Sequence, residues 1–415
     1  MNDLQNSIES IIPVVTVDHM LLEFLHSIPN KLIPTIEILC KNENLPIIDV
    51  IPVGSAFRNT ILPQKIEMDL FVRFDTRSQK ILSIFADLVI EKLAEEFSCK
   101  YEIKYAENPY GTLFYMANEF SITIPIDIVA TIWISEAKYL PDILKISGMA
   151  RTPFHMTFLK NFINQKELEV KFFKYWCKKK FLYGQCGFTG FLCELLIGGY
   201  ETFENLLKHS KEIAQIIWDP SYSQKSKNSL KERFPNDLII IIDPIDRYRN
   251  TAAGIQGFYG KLQLKRFISI SQFNLSEHSN LWDEYQMTKP YFSVNVEFSP
   301  EASNRNDEEI ISRKISMVNA INRQLEIEKN FVVEAIVTLE KMFLKTHRLE
   351  EITYLRKGPP KENKSAAKKF KIKNKDFIEK NGRLWIKDLY FSSFDSLKSF
   401  FNSKSDLQVE ISLIS

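Results

Sequence analysis

The sequence predicts an α+β chain of several domains, and three observations carry that expectation. A chain of 415 residues is too long for one ordinary core and suits roughly two to four domains. An apolar run, Ile47 to Val53, an alternating stretch, Ile66 to Phe74, and a β-branched run, Ser121 to Ile134, lie among segments whose apolar residues recur at threes and fours. Near residue 357 the charge changes abruptly: lysines crowd Lys357 to Lys375, with Gly358-Pro359-Pro360 read as a break.

In chain order, Leu21, Leu22, Leu25, Leu32, Ile33, Ile36, Leu39 and Cys40 have helical spacing, with Pro29 separating two helical segments. An apolar run then ends in Gly54-Ser55. A small residue here lets backbone N–H groups approach a phosphate, the Ser55 hydroxyl adds a donor, and Arg58 adds charge. Beyond it, Glu67 and Asp69 alternate with Ile66, Met68 and Leu70, so both acids share one face of one strand. Two such acids repel unless a cation sits between them, and hard oxygen ligands of this kind suit Mg²⁺ held together with substrate phosphates. A helix follows over Ser78 to Glu96 and a strand over Lys100 to Ala106. In the run from Ser121 to Ile134 the one charge is Asp127, costly in a central strand unless it is paired or binds metal. A sheet that sets Asp127 beside Glu67 and Asp69 yields the three-carboxylate, two-metal arrangement of nucleotidyl transfer. The same residues also read as a turn and a solvated strand face.

Composition narrows the classes. Net charge is +2, so any nucleic-acid binding must come from local patches. The five cysteines form no C-x-x-C pair, which fits buried thiols in a reducing compartment and argues against structural zinc. No apolar run is read as membrane-spanning and the first residues lack the regions of a signal peptide, so the expectation is a cytoplasmic protein without membrane contact.

Gly54-Ser55-Ala56-Phe57-Arg58-Asn59-Thr60-Ile61-Leu62 followed by Glu67-Met68-Asp69 resembles the DNA polymerase beta-like nucleotidyltransferases. Within them it resembles the archaeal-type (class I) CCA-adding tRNA nucleotidyltransferases, with their G-S-x-A-R-x-T-x-L and E/D-x-D. Ala106-Glu107-Asn108-Pro109-Tyr110 is similar to the family's A-E-H-P-Y, with Asn108 in place of histidine. Arg151-Thr152-Pro153-Phe154-His155 is similar to R-T-P-F-H, although locally it is also an ordinary helix start. After Tyr183-Gly184 the loop is shorter than in the family before Gly187-Phe188-Thr189-Gly190-Phe191-Leu192-Cys193-Glu194-Leu195-Leu196-Ile197, the match to G-F-S-G-Y-L-C-E-L-L-I. Glu194 there needs a partner that the sequence does not name. Leu238 to Ile242 reads as a buried strand, and Asp243-Pro244-Ile245-Asp246-Arg247-Tyr248-Arg249-Asn250 resembles D-P-x-D-x-x-R-N, though Asp-Pro is equally a generic turn. Residues 260 to 356 combine strand-like runs, Tyr291 to Phe298 and Phe331 to Leu339, with a helix over Glu308 to Gln324. Asn381-Gly382-Arg383-Leu384-Trp385 is similar to N-G-R-W-W, and a short helix-like segment lies near Phe394 to Phe401.

The resemblance implies a mixed-sheet nucleotidyltransferase head with N-terminal helices over residues 1–137 and a helical central nucleotide-recognition domain over 138–258. It further implies an α/β RNA-binding body over 259–356 and a small basic tail over 357–415, shortened relative to the family. It assigns Glu67, Asp69 and Asp127 to two Mg²⁺ ions, and Gly54, Ser55, Arg58, His155, Lys174 and Tyr183 to the triphosphate. Arg249 is assigned to reading the base, while Asp246 fixes local geometry. Lys361, Lys364, Lys368, Lys369 and Arg383 are RNA contacts or, read locally, a solvated segment. The implied reaction adds C, C and A from CTP and ATP to the tRNA 3′ end, and a homodimer is compatible with it. A terminal adenylyltransferase, a polymerase on other RNAs and a non-catalytic RNA-binding relative are the rival readings.

Overall fold

The computed structural model describes residues 11–105, 109–136, 143, 148–184, 186–213, 216–219, 227–270, 291–298, 307–327, 330, 332–347, 352–390, 393–404 and 407–414. The chain divides into two compact units, Met1–Gln256 with Leu264–His278, and Gly257–Gln263 with Ser279–Ser415.

In the first unit, helix α1 (His19–Asn42) begins where Asp18 Oδ1 accepts the Met20 and Leu21 N–H groups at 2.9 and 3.2 Å. The break expected at Pro29 does not occur: one helix runs through Pro29 and Pro34. An internal proline costs about 3 kcal/mol, whereas a fully buried apolar side chain contributes roughly 1.5–3 kcal/mol. Leu25, Ile28, Leu32, Ile36 and Cys40 are all buried, so packing outweighs the lost backbone bonds. By length and mean hydropathy Ile11–Asn42 could cross a membrane, which corrects the sequence reading; here those five side chains sit in the core instead.

The sheet beside α1 consists of β1 (Ile47–Val53), β2 (Met68–Phe74), β3 (Lys100–Tyr105), β4 (Pro109–Ala117) and β5 (Ile122–Ile132), in the order β1-β2-β5-β4-β3. β2 and β5 run parallel and the remaining pairs antiparallel, a mixed sheet as expected. Helix α2 (Gln79–Glu96) buries Leu82, Phe85, Val89, Ile90 and Leu93 against one face. Period-two alternation supplies that face with Met68, Leu70, Val72 and Phe74 from β2 and Ile124, Ile126, Ile128 and Ala130 from β5. The odd-numbered residues Asp69, Phe71, Asp127 and Val129 therefore share the opposite face.

Helices α3 (Thr152–Phe162), α4 (Glu167–Lys179) and α5 (Gly190–Tyr200) build a second core, in which Phe173 meets the rings of Trp176, Phe188, Phe203 and Phe267. The strand expected over Leu238 to Ile242 is shorter: β7 (Ile240–Ile241) pairs with β6 (Ile217–Trp218). Asn108, with Ala106 and Glu107, lies outside the described residues, as does Gln185 of the shortened loop.

The second unit contains a sheet ordered β14-β8-β10-β9, from β8 (Tyr291–Phe298), β9 (Val332–Val337), β10 (Lys341–Thr346) and β14 (Leu407–Ile414), with α6 (Asp307–Ile327) against β9. A three-stranded sheet follows, β11-β13-β12, from β11 (Ile352–Pro360), β12 (Phe377–Lys380) and β13 (Arg383–Tyr390). Gly358-Pro359-Pro360 does not break the chain. It ends β11, an edge strand where missing N–H donors are tolerated, and the register shifts between Lys357 and Pro360. The lysine run forms helix α7 (Lys364–Lys373), and α8 (Ser393–Asn402) matches the expected short helix.

Candidate active site

The turn after β1 and the parallel pair β2 and β5 bring the acids together. Asp69 and Asp127 are register partners across the two strands, on the sheet face opposite α2. Gly54 closes over them with φ +85°, and a Cβ there would meet Asp69 Oδ2 at 2.1 Å. Thr112, the β4 neighbour of Asp127, donates its hydroxyl to Asp127 Oδ1 at 2.5 Å. Both acids line a cavity of about 500 Å³ with Gly54, Arg58, His155 and Arg249.

Glu67 departs from the expected strand position. It sits one residue before β2, and Lys65, brought back by the turn that pairs Leu62 with Lys65, binds its carboxylate at 2.7 Å. Among the described residues no group of three His, Cys, Asp or Glu side chains is placed to hold a metal ion. Asp69 and Asp127 meet across the parallel strands, and the Glu67 charge is felt at both. Burial, then the Asp127 and Glu67 charges, push the Asp69 carboxyl up to about 7 against the opposing pull of Arg58 and Lys65. Burial also raises Asp127, with the Thr112 hydrogen bond opposing it. Oxygen-only donors that disfavour each other's charge fit a hard divalent cation, which would relieve the repulsion.

Two further buried acids organise the cavity wall. Glu194, on α5 and fully buried, accepts Arg58 Nε at 3.0 Å on Oε2 and Nη2 at 3.2 Å on Oε1, Lys174 Nζ at 2.7 Å and the Thr60 hydroxyl at 2.6 Å. Burial alone would raise its pKa, but Arg58, then Lys174 and the hydrogen bonds, bring it down to about 2. Lys174 is thus buried on Glu194 and Thr60 and, like Ser55, Glu67 and Tyr183, is not among the groups lining the cavity. Tyr183 lies close by, since a Cβ on Gly190 would meet its hydroxyl at 2.9 Å and Lys174 Nζ at 3.7 Å.

Asp243, also fully buried, accepts His155 Nε2 at 2.8 and 2.9 Å, Arg249 Nη1 at 2.8 Å, and the Ile245 and Asp246 N–H groups at 2.9 and 3.1 Å. These contacts hold its carboxyl down at about 2 despite burial. A carboxylate acceptor requires the proton on Nε2. Burial, with Arg249 and Arg151 nearby, outweighs Asp243 and lowers the imidazole's pKa, so Nδ1 is the acceptor side of a neutral ring. The ring packs 4.4 Å from Phe191, and Arg249 lies 6.0 Å over the same phenyl. Asp246, expected to fix this loop, does so in part: it accepts the Tyr248 N–H at 3.0 Å and faces Arg151 at 3.9 Å. The larger share belongs to Asp243, which the sequence reading passed over although an Asp directly after an apolar run signals burial.

In the second unit Lys364, Lys368 and Lys369 are exposed on α7. Lys361 and Lys371 both bind Glu379, at 2.7 and 2.8 Å, and Arg383 donates to the Gly358 carbonyl at 3.0 Å.

Paired carboxylates on the floor of a cavity with cationic walls, carried by this mixed sheet, define the class as a nucleotidyltransferase. Residues 168–281 match the family described as tRNA nucleotidyltransferase, second domain. The CCA-adding enzyme of Methanocaldococcus jannaschii is 28% identical over 418 residues, covering 90% of this chain and 86% of the relative. That of Methanococcus maripaludis is 28% identical over 392 residues, covering 86% and 82%, and that of Archaeoglobus fulgidus 28% over 370 residues, covering 81% and 77%. Over most of its length the chain is thus similar to archaeal CCA-adding enzymes, and its middle matches a tRNA nucleotidyltransferase domain.

Proposed function

We propose that this protein adds C, C and A stepwise to the 3′ end of tRNA from CTP and ATP, releasing pyrophosphate at each addition, in the cytoplasm. Asp69 and Asp127, with Glu67 at the rim, would hold Mg²⁺. Bound there, the ions supply Lewis-acid stabilisation of the charge that develops on the transferring phosphate and the leaving group.

The chain's own residues do the rest. Gly54 and Ser55 offer the close approach and donors of a phosphate-binding turn. Arg58, held rigidly by Glu194, presents a fixed positive charge to the same phosphates, and Lys174 and Tyr183 support that wall from behind. Thr112 occupies Asp127 Oδ1, which leaves Oδ2 to take the proton from the RNA 3′-hydroxyl. Arg249 and His155 read the base edge, their orientation set by Asp243. A neutral acceptor nitrogen beside a guanidinium donor suits edges that carry both donors and acceptors. Lys364, Lys368 and Lys369 contact RNA phosphates from the second unit.

The observation that carries this reading is the register pairing of Asp69 with Asp127 on the floor of a cavity walled by Arg58, His155 and Arg249. The test offers 3′-trimmed tRNA with CTP alone, ATP alone, or both. Extension by two nucleotides, none, and three respectively is expected; ATP-only extension, or none under any condition, rejects the proposal.

A further inference from the structure

Arg58, Arg73, Arg151 and Arg249 each face a carboxylate. Arg233 and Arg247 do not have one among the described residues; they share the ring of Tyr248 instead. The Arg233 guanidinium lies 4.2 Å from the ring centroid and that of Arg247 5.0 Å. Arg247 Nη2 donates to the Tyr248 hydroxyl at 3.0 Å, and Arg233 Nη1 to the Arg247 carbonyl at 3.2 Å. Tyr248 itself is 51% exposed. Two like charges are thus drawn onto one aromatic ring at the surface, and cation–π attraction together with these hydrogen bonds holds them there against their repulsion. An anion brought to the pair would lower that repulsion, and planar guanidinium groups match the oxygens of a phosphate.

The patch lies where such an anion would matter. Arg247 and Tyr248 immediately precede Arg249, which lines the cavity, and Asp246 ties the loop by accepting the Tyr248 N–H. The cavity takes the nucleotide, so a second, anion-binding surface on the loop beside it serves the other substrate. Resting on the proposed function, we infer that the Arg233–Tyr248–Arg247 stack is a docking surface for backbone phosphates of the RNA strand whose 3′ end enters the cavity. In the D-P-x-D-x-x-R-N pattern Arg247 and Tyr248 occupy unspecified positions, so the surface is a property of this chain's own residues.

The test is the affinity of the full-length protein for fluorescent 3′-trimmed tRNA, by anisotropy across a salt series. Each phosphate contact contributes about 0.7–0.9 to the slope of log K against log salt. R233Q/R247Q should therefore flatten the slope by about 1.4–1.8 and weaken binding several-fold at low salt, while R233K/R247K keeps the parent slope. Tyr248→Ala, which lets the two cations separate, should weaken binding more than Tyr248→Phe. A folded R233Q/R247Q protein with the parent's slope and affinity overturns the inference. Should that pair fail to fold, the single exposed change R247Q reads the same slope, expected to flatten by about half as much. Binding that responds as stated in a protein that extends no RNA would reject the catalytic reading and leave this surface standing.

Discussion

Replacing Glu194 by Gln isolates the junction on which the cavity wall depends. The side chains of Glu194, Lys174 and Arg58 are 0%, 5% and 12% exposed, so removing the anion leaves two cations with little water to turn to. Breaking a buried ion pair from one side costs about 3–5 kcal/mol. An independent route gives a similar size. Glu194 falls from 4.5 to about 2, and at about 1.36 kcal/mol per pH unit this is about 3 kcal/mol of stability. Because the folded pKa is depressed, that stability is fully present above pH 4.5 and is lost as pH falls towards 2. Hydrogen exchange of α5 in increasing urea measures the free energy of the unit carrying Glu194 without requiring the whole chain to unfold in one step. The expected result is a loss of about 3 kcal/mol at pH 7 that shrinks as the parent's carboxylate protonates below pH 4.5. A loss under about 1 kcal/mol at pH 7, the worth of an exposed pair, or one that does not change with acidification, refutes the assignment of Glu194 as the ionised centre of the junction.

Three other outcomes are expected. Asp127→Asn should raise the barrier to nucleotide transfer by on the order of several kcal/mol, read as single-turnover extension of trimmed tRNA; an undiminished rate would remove Asp127 from the chemistry. Gly54→Ala sets a methyl group on Asp69 Oδ2 at a positive φ and should cost more than about 1 kcal/mol of stability as well as most activity. Retained activity in that variant would show that the turn yields freely. Asp243→Asn removes the charge that His155 and Arg249 share, and hydrogen bonds to charged groups are worth about 1.5–3 kcal/mol. The preference for CTP over UTP, as a ratio of kcat/KM values, should fall by about tenfold or more, and an unchanged ratio would place base selection elsewhere.

The local pattern made half of the site legible. Alternation around Met68 told which face β2 buries, and the lone charge of Asp127 in its apolar run marked the second acid; the two meet once β2 and β5 pair in register. Pairing itself is a long-range choice that no window of sequence contains. Glu67 shows the limit: its spacing from Asp69 suggested a shared strand face, but strand pairing begins at Met68 and Lys65 captures the carboxylate first. The long helix α1 and the end of β11 went the other way, since proline marks a local cost while burial and a free sheet edge decide whether that cost ends the element. The last strand, β14, was readable in principle from the alternation of Leu407, Val409 and Ile411, but its partner β8 lies more than a hundred residues earlier. Glu194 announced through its apolar helix that it must be neutralised; which cations would do so depends on Arg58 and Lys174 meeting across 136 and 20 residues of chain. This is why the resemblance named Arg58 and Lys174 as phosphate ligands while the fold shows them engaged with one another's counter-ion. On the proposed function, a triphosphate entering the cavity would meet a wall of net charge +1 whose geometry is already set, so ordering those two side chains would be a cost met during folding and not at each nucleotide addition.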